Sequence, residues 1–233
     1  MKIIILYNSC NKNTNRFLKL ESVRKINKLK EEYSNIIFYR TVGKPNIDDI
    51  IIYNEYPTLH LDCEDNYENL PAKVFLGIKT IYNLHPDLDY LVKVDDDIEI
   101  NLDTLLRNIK EYPNIDYGGF VIHAPYGRNE THHFGKCRDN KYNSIPIQLP
   151  PFTISIGGLY ILSSKSVKII NDSEVPYDKV VYEDVYIGIL LEQNGIRPIH
   201  ILATTENKDE YLNKNYIGWN NNNHQPYELF ETY

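Results

Sequence analysis

The sequence predicts an α/β protein, a mainly parallel sheet flanked by helices. Short β-branched and aromatic runs alternate with segments of helical spacing through most of the chain, the pattern of a sheet covered on both faces. One of these runs, residues 90–94, ends abruptly in Asp95, Asp96 and Asp97. In open α/β sheets ligands bind outside the carboxyl ends of the strands, where these carboxylates stand. The chain has 233 residues, 42% hydrophobic and 24% charged, enough for one large α/β domain or two small ones.

Residues 2–8 form a first buried strand. A polar loop follows, with Thr14 as N-cap of a helix that presents Phe17, Leu20, Val23, Ile26 and Leu29 at helical spacing. Residues 35–39 give a second strand, closed by Gly43 and Pro45. Segments 47–52 and 58–61 are short and ambiguous, the first compatible with a helix. Pro71 suits the first turn of a helix over 70–84, with Val74, Ile78 and Ile81 inward and Pro86 as its stop. The Asp-ended strand comes next, with Lys93 as its one charge before the cluster. Asn101 or Asp103 caps a helix carrying Leu102, Leu105, Leu106 and Ile109. A strand over 115–122 contains Gly118 and Gly119. Residues 123–150 lack clear periodicity, and a stretch of that length in a domain is functional or mobile. A strand over 152–162 surrounds Gly157 and Gly158, a short helix follows over 163–170, and a longer one over 181–193 ends at Gly195. A last strand spans 196–202. The tail is polar and Asn-rich around Trp219.

The net charge of −7 argues against nucleic acid as a partner. Cys10, Cys63 and Cys137 are odd in number and widely spaced, which fits a reducing compartment better than a disulfide framework. The apolar start is too short for a signal peptide, and no stretch reaches the length of a membrane span. The expected location is therefore cytoplasmic. The usage of Asn, Ile, Lys and Tyr suggests an AT-rich coding genome, consistent with a virus-encoded protein.

Three carboxylates at one strand end repel one another and resist desolvation. A divalent cation would neutralise them, and oxygen donors select Mg²⁺, Mn²⁺ or Ca²⁺. A solvated acidic turn is the alternative, and the stretch alone does not choose. Gly157 and Gly158 in a β-prone run mark either a bulge or the close approach of a ligand. Glu183 and Asp184 open a helix whose dipole stabilises them there. A carboxylate so placed is also available, ionised, as a general base.

Four motifs in order resemble glycosyltransferase family 31, the β-1,3-galactosyl- and N-acetylglucosaminyltransferases with the more distant Fringe enzymes. They are Asp65-x-Tyr67-x-Asn69-Leu70-x-x-Lys73, then Lys93-x-Asp95-Asp96-Asp97, then Pro150-Pro151-Phe152 with Gly157 to Ser163, and last Glu183-Asp184-Val185-Tyr186-x-Gly188. The resemblance covers roughly residues 62–201. It implies a GT-A fold, a Rossmann-like mixed sheet flanked by helices, in a single catalytic domain over 1–233. Residues 1–100 would form the nucleotide-sugar half and 101–233 the acceptor half.

The resemblance further implies an inverting transfer from a UDP-sugar donor to a glycan or glycoprotein acceptor, with Mn²⁺ as cofactor and Mg²⁺ as a substitute. Asp97 would be the firmest metal ligand, and Asp95 and Asp96 would share the metal with the ribose. His224 is the expected late ligand, with His200 the core alternative. Asp184 would be the base. Asp65, Lys73, Arg16 and Glu183 fall on the nucleotide or substrate side, and the Gly157–Gly158 backbone would let the donor sugar approach. Ile156 stands where the family often has a third glycine. His132 and His133 receive no role. A nucleotidyl-transferring enzyme and a non-catalytic glycan- or Ca²⁺-binding module are the competing readings. The first has no use for Glu183-Asp184, and the second predicts no turnover of UDP-sugars.

Overall fold

The structure is a computed structural model and describes residues 1–28, 31–45, 56–174, 182–213 and 216–220. The elements run β1 (Ile3–Asn8), α1 (Thr14–Phe17), α2 (Glu21–Lys28), β2 (Ile36–Lys44), β3 (Thr58–Glu64), α3 (Leu70–Leu84), β4 (Tyr90–Asp95), β5 (Ile98–Ile100), α4 (Leu102–Glu111), β6 (Tyr117–Ala124), β7 (Arg128–Glu130), β8 (Ile147–Leu149), β9 (Phe152–Ser163), α5 (Ser164–Asp172), α6 (Glu183–Gln193), β10 (Ile199–His200), β11 (Thr204–Thr205), α7 (Lys208–Leu212) and β12 (Gly218–Asn220).

The central sheet has seven strands in the order β10-β6-β9-β4-β1-β2-β3. β4, β1, β2 and β3 run parallel, as does the β10–β6 pair, while β9 is antiparallel to both β4 and β6. The sheet is thus mixed. The alternation of side chains along each strand divides its core in two. Ile3, Ile5 and Tyr7 of β1 join Val92, Val94, Leu159 and Ile161 on the face covered by α2 and α4. Ile4 and Leu6 join Leu91, Tyr160 and Leu162 on the face covered by α3, α5 and α6. Burial on both faces is why these strands read as continuous apolar runs.

Local signals place most of the helices. Pro71 lies in the first turn of α3, and Asn101 accepts the backbone N–H of Thr104 as the N-cap of α4. Ser163 caps α5 in the same way. Gly195, at φ +77°, follows α6 in a left-handed conformation that side chains resist.

Other expectations are corrected. The helix over 17–29 is two pieces, α1 and α2, because a tight turn at 18–20 intervenes; Leu29 lies outside the described residues, as does segment 47–52. Thr14 does not cap α1 but belongs to it, its hydroxyl donating back to the Asn11 carbonyl. The ambiguous 58–61 stretch is a strand, β3. The last strand shrinks to Ile199–His200, since Pro198 has no N–H for the ladder and Ile196 is buried in the core instead. Within the Asn-rich tail, Gly218–Asn220 form β12, which pairs antiparallel with β5 just past the Asp cluster.

Candidate active site

The Asp cluster turns the chain from β4 into β5 at the carboxyl end of the central strands. Asp96 points into the protein. Its backbone N–H donates to the Asn8 carbonyl, and its carboxylate accepts the Ser9 hydroxyl at 2.5 Å and the Arg16 guanidinium. Burial pushes the Asp96 pKa up, against the pull of Arg16 and Ser9. Asp95 and Asp97 are half-buried. Arg16 is also within electrostatic reach of Asp97, so α1, which follows the first loop, delivers a cation to the cluster.

Lys93 connects this cluster to the other carboxylate pair. Its side chain is 0% exposed, and a buried ammonium needs partners. Its Nζ donates to Asp95 Oδ1 at 2.7 Å, to Glu183 Oε1 at 3.1 Å and to the Gly157 carbonyl. Burial alone would lower the Lys93 pKa, but the two carboxylates more than offset it and hold the group charged. The Gly157 N–H in turn donates to Asp184 Oδ2 at 2.9 Å, while Asp184 Oδ1 accepts the N–H of Val185.

The pair Gly157–Gly158 sits in a bulge. β6 steps from Gly119 to Val121 while its partners on β9 step from Tyr160 to Ser155. A Cβ on Gly157 would lie 2.8 Å from Glu183 Oε1 and 3.3 Å from Asp184 Oδ2, and one on Gly158 would lie 3.0 Å from Ile98 Cδ1. What approaches the Gly157 backbone here is the carboxylate pair of α6.

Glu183 is buried and Asp184 half-buried at the start of α6. Burial and the charge of Glu183 push the Asp184 pKa up, to about 7, against Lys93 and the two N–H bonds. The helix N-terminus alone would hold Asp184 fully ionised at neutral pH; burial brings it instead to the range where a general base is most effective.

Asp65 and Lys73 are buried together beneath the first loop. Asp65 accepts Lys73 Nζ at 2.7 Å, the Gly43 N–H, and both the N–H and side-chain amide of Asn11. Lys73 also donates to the Ser9 carbonyl at 2.7 Å. These bonds tie the ends of β1, β2 and β3 to α3 and fix the loop that leads into α1, the helix that carries Arg16.

His200 stands apart from the cluster. It pairs with Gly119 on an edge strand, with β6 and β9 between it and β4, and it is exposed against Phe120 rather than part of the core. His224 lies outside the described residues. The last described residue, Asn220, pairs with Ile98 beside Asp97. No three His, Cys, Asp or Glu side chains converge as a ready-made metal cage among the described residues.

Sequence reasoning gave no role to two groups that the structure places at the site. Lys93 had a legible signal, a lone charge inside an apolar strand. His133 had none. It is buried; its ring Nδ1 accepts the Tyr182 hydroxyl at 2.6 Å and its Nε2 donates to the Ile145 carbonyl at 3.2 Å. It anchors the 123–150 stretch next to Glu183-Asp184.

A family model described as Galactosyltransferase matches residues 48–202, more than half of the chain. The chain belongs to the galactosyltransferase family. The match contains the Asp cluster, Gly157, Gly158, Glu183 and Asp184, and leaves out Arg16 and His224. Mouse beta-1,3-galactosyltransferase 5 is 30% identical over 141 residues, 59% of this chain and 44% of that protein. Human beta-1,3-galactosyltransferase 1 is 29% identical over 141 residues, 59% of this chain and 42% of that protein. The chain thus spans less than half the length of these curated relatives. The crystal structure of S. aureus TarS 1-349 shares the fold at a TM-score of 0.52 and 12% identity, covering 86% of this chain and 58% of that one. The galactosyltransferase-family chain has the mixed α/β sheet of the GT-A fold. Among its described residues no helix is long and apolar enough to cross a membrane.

Proposed function

We propose that the protein transfers a hexose or N-acetylhexosamine from a UDP-sugar to an acceptor hydroxyl, with inversion at the anomeric carbon and a β-1,3 linkage. The donors to expect are UDP-galactose, UDP-N-acetylglucosamine and UDP-glucose, and the acceptor is a glycan or glycoprotein. The observation that carries this reading is the chain of contacts from Asp95 through Lys93 to Gly157 and Asp184. It couples a carboxylate suited to the leaving side with one suited to the attacking side.

Asp184 takes the proton from the acceptor hydroxyl as that oxygen attacks the anomeric carbon. Its raised pKa lets it accept a proton near neutral pH. The Gly157 N–H holds the carboxylate in one orientation, which keeps the attacking oxygen aligned. Lys93 fixes Glu183 and Asp95 in register. Arg16 and the framework pair Asp65–Lys73 shape the nucleotide side.

Mn²⁺, or Mg²⁺ in its place, fits the donor set. Asp95 and Asp97 are hard oxygen ligands, half-buried at a strand end, and such ions bind through one or two carboxylates plus substrate phosphates rather than a closed protein cage. Asp97 and Asp95 would hold the ion, with His224 as a further ligand from the tail beyond Asn220. The ion supplies Lewis-acid stabilisation of the departing diphosphate.

The test is a panel of UDP-sugars with MnCl₂, read by thermal shift and by UDP release in the presence of glycan acceptors. One donor should raise the melting temperature and release UDP in an acceptor-dependent way. No shift and no release across the panel would overturn the reading.

A further inference from the structure

We propose that Lys136, from the 123–150 stretch, binds the diphosphate of the donor and of the departing nucleotide. This inference rests on the nucleotide-sugar reading above and adds a residue that none of the four motifs contains.

The segment around Lys136 is pinned at two points, one beside each half of the site. On one side buried His133 is bonded to the hydroxyl of Tyr182, the residue before Glu183-Asp184, through both its ring nitrogen and its backbone N–H. On the other side the N–H groups of Arg138 and Asp139 donate to the Glu68 carboxylate at 3.1 and 2.7 Å. Glu68 belongs to the same stretch as Asp65 and Lys73. Lys136 lies between these anchors.

Its ammonium stands 5.6 Å from the centroid of the Tyr67 ring, within cation–π range. Tyr67 is half-buried and within electrostatic reach of both Glu183 and Asp95. Lys136 in turn feels the charge of Asp97. Its bonded side-chain partner is the neutral acceptor nitrogen of His132, at 2.6 Å. Lys136 is thus a cation held between Tyr67 and His132 within electrostatic reach of Asp97, and among the described residues it forms no salt bridge.

Such a cation suits an anion that arrives beside Asp97. A nucleoside diphosphate brings charge and acceptor oxygens to that place, and a lysine acts on phosphate as a mobile point charge. The same ammonium would oppose the negative charge that develops on the diphosphate as the glycosidic bond breaks.

The experiment measures UDP affinity by calorimetry with MnCl₂ for the wild type, Lys136→Met and Lys136→Arg, with melting temperature without ligand as the folding control. Lys136→Met should weaken UDP roughly tenfold, about 1.4 kcal/mol, with an unchanged melting temperature, and Lys136→Arg should restore most of the affinity. Unchanged UDP affinity in Lys136→Met overturns the inference, as does an equal loss in Lys136→Arg. A wild type that fails to bind UDP overturns the nucleotide-sugar reading itself, which separates the two failures.

Discussion

The backbone N–H of Gly157 donates to Asp184 Oδ2 at 2.9 Å, and the carbonyl of the same residue accepts the ammonium of Lys93. One peptide segment in the β9 bulge therefore touches both the group proposed as base and the cation that holds Asp95. Its lack of a side chain is a requirement of the site.

Gly157→Ala should damage transfer more than stability. The new Cβ would lie 2.8 Å from Glu183 Oε1, so Glu183 must swing away from Lys93. A misplacement that grows to about 1 Å at the adjoining Asp184 would cost on the order of 100-fold in rate. Gly158→Ala meets only the flexible tip of Ile98, at 3.0 Å, and should be mild. Steady-state rates for the two variants, with their melting temperatures, check the contrast.

Lys93→Met should cost about 3 kcal/mol of stability, because it leaves Glu183 buried without its cation. It should also weaken Mn²⁺-dependent donor binding, since Asp95 Oδ1 loses the bond that orients it. Denaturant unfolding and a metal titration measure the two effects separately.

Lys73→Met tests the framework side. Asp65 keeps its three bonds from Gly43 and Asn11 but loses the buried countercharge. The expected cost is about 3 kcal/mol, and the double variant Asp65→Asn, Lys73→Met should recover only part of it, because the asparagine NH2 is turned against one of these N–H donors. Chemical denaturation of the single and double variants checks the recovery.

The strand ends and helix starts were legible because their signals are local. Asp95 to Asp97 closing an apolar run, Pro71 in a first turn and Asn101 before an amphipathic helix each act within a few residues. Strand direction has no such signal, so the antiparallel insertion of β9 between β4 and β6 needed the structure. The β12–β5 pairing was illegible for the same reason: Asn-rich segments have poor β-propensity and pair here through tertiary contact. Of the site, the residue types were readable, and their connection was not. Lys93 was visible as a charge in a buried strand, yet its link to Glu183 spans 90 positions. His133 looks like any loop histidine until Tyr182 is found against it.

The pH dependence follows from Asp184. Burial and Glu183 raise its pKa from 3.8 to about 7. A base must be deprotonated, so kcat/KM should fall as pH drops through about 7. The stability effect has the opposite sense. A group whose folded pKa is raised contributes stability below its unfolded pKa and loses it as pH rises through the folded one. The ligand-free protein should therefore gain from Asp184 on acidification from about 7 toward 4. The Asp184→Asn variant should lack that contribution, which unfolding curves at stepped pH will report.

The most direct test of glycosyl transfer through Asp184 is to measure transfer and UDP–Mn²⁺ binding side by side in the wild type and in Asp184→Asn. Asparagine keeps the size of the side chain and an oxygen for the Gly157 N–H, and removes the capacity to take a proton. Transfer should be abolished while UDP–Mn²⁺ affinity stays nearly intact. Wild-type transfer rates in Asp184→Asn would contradict the assignment of the base and the account of the site built on it.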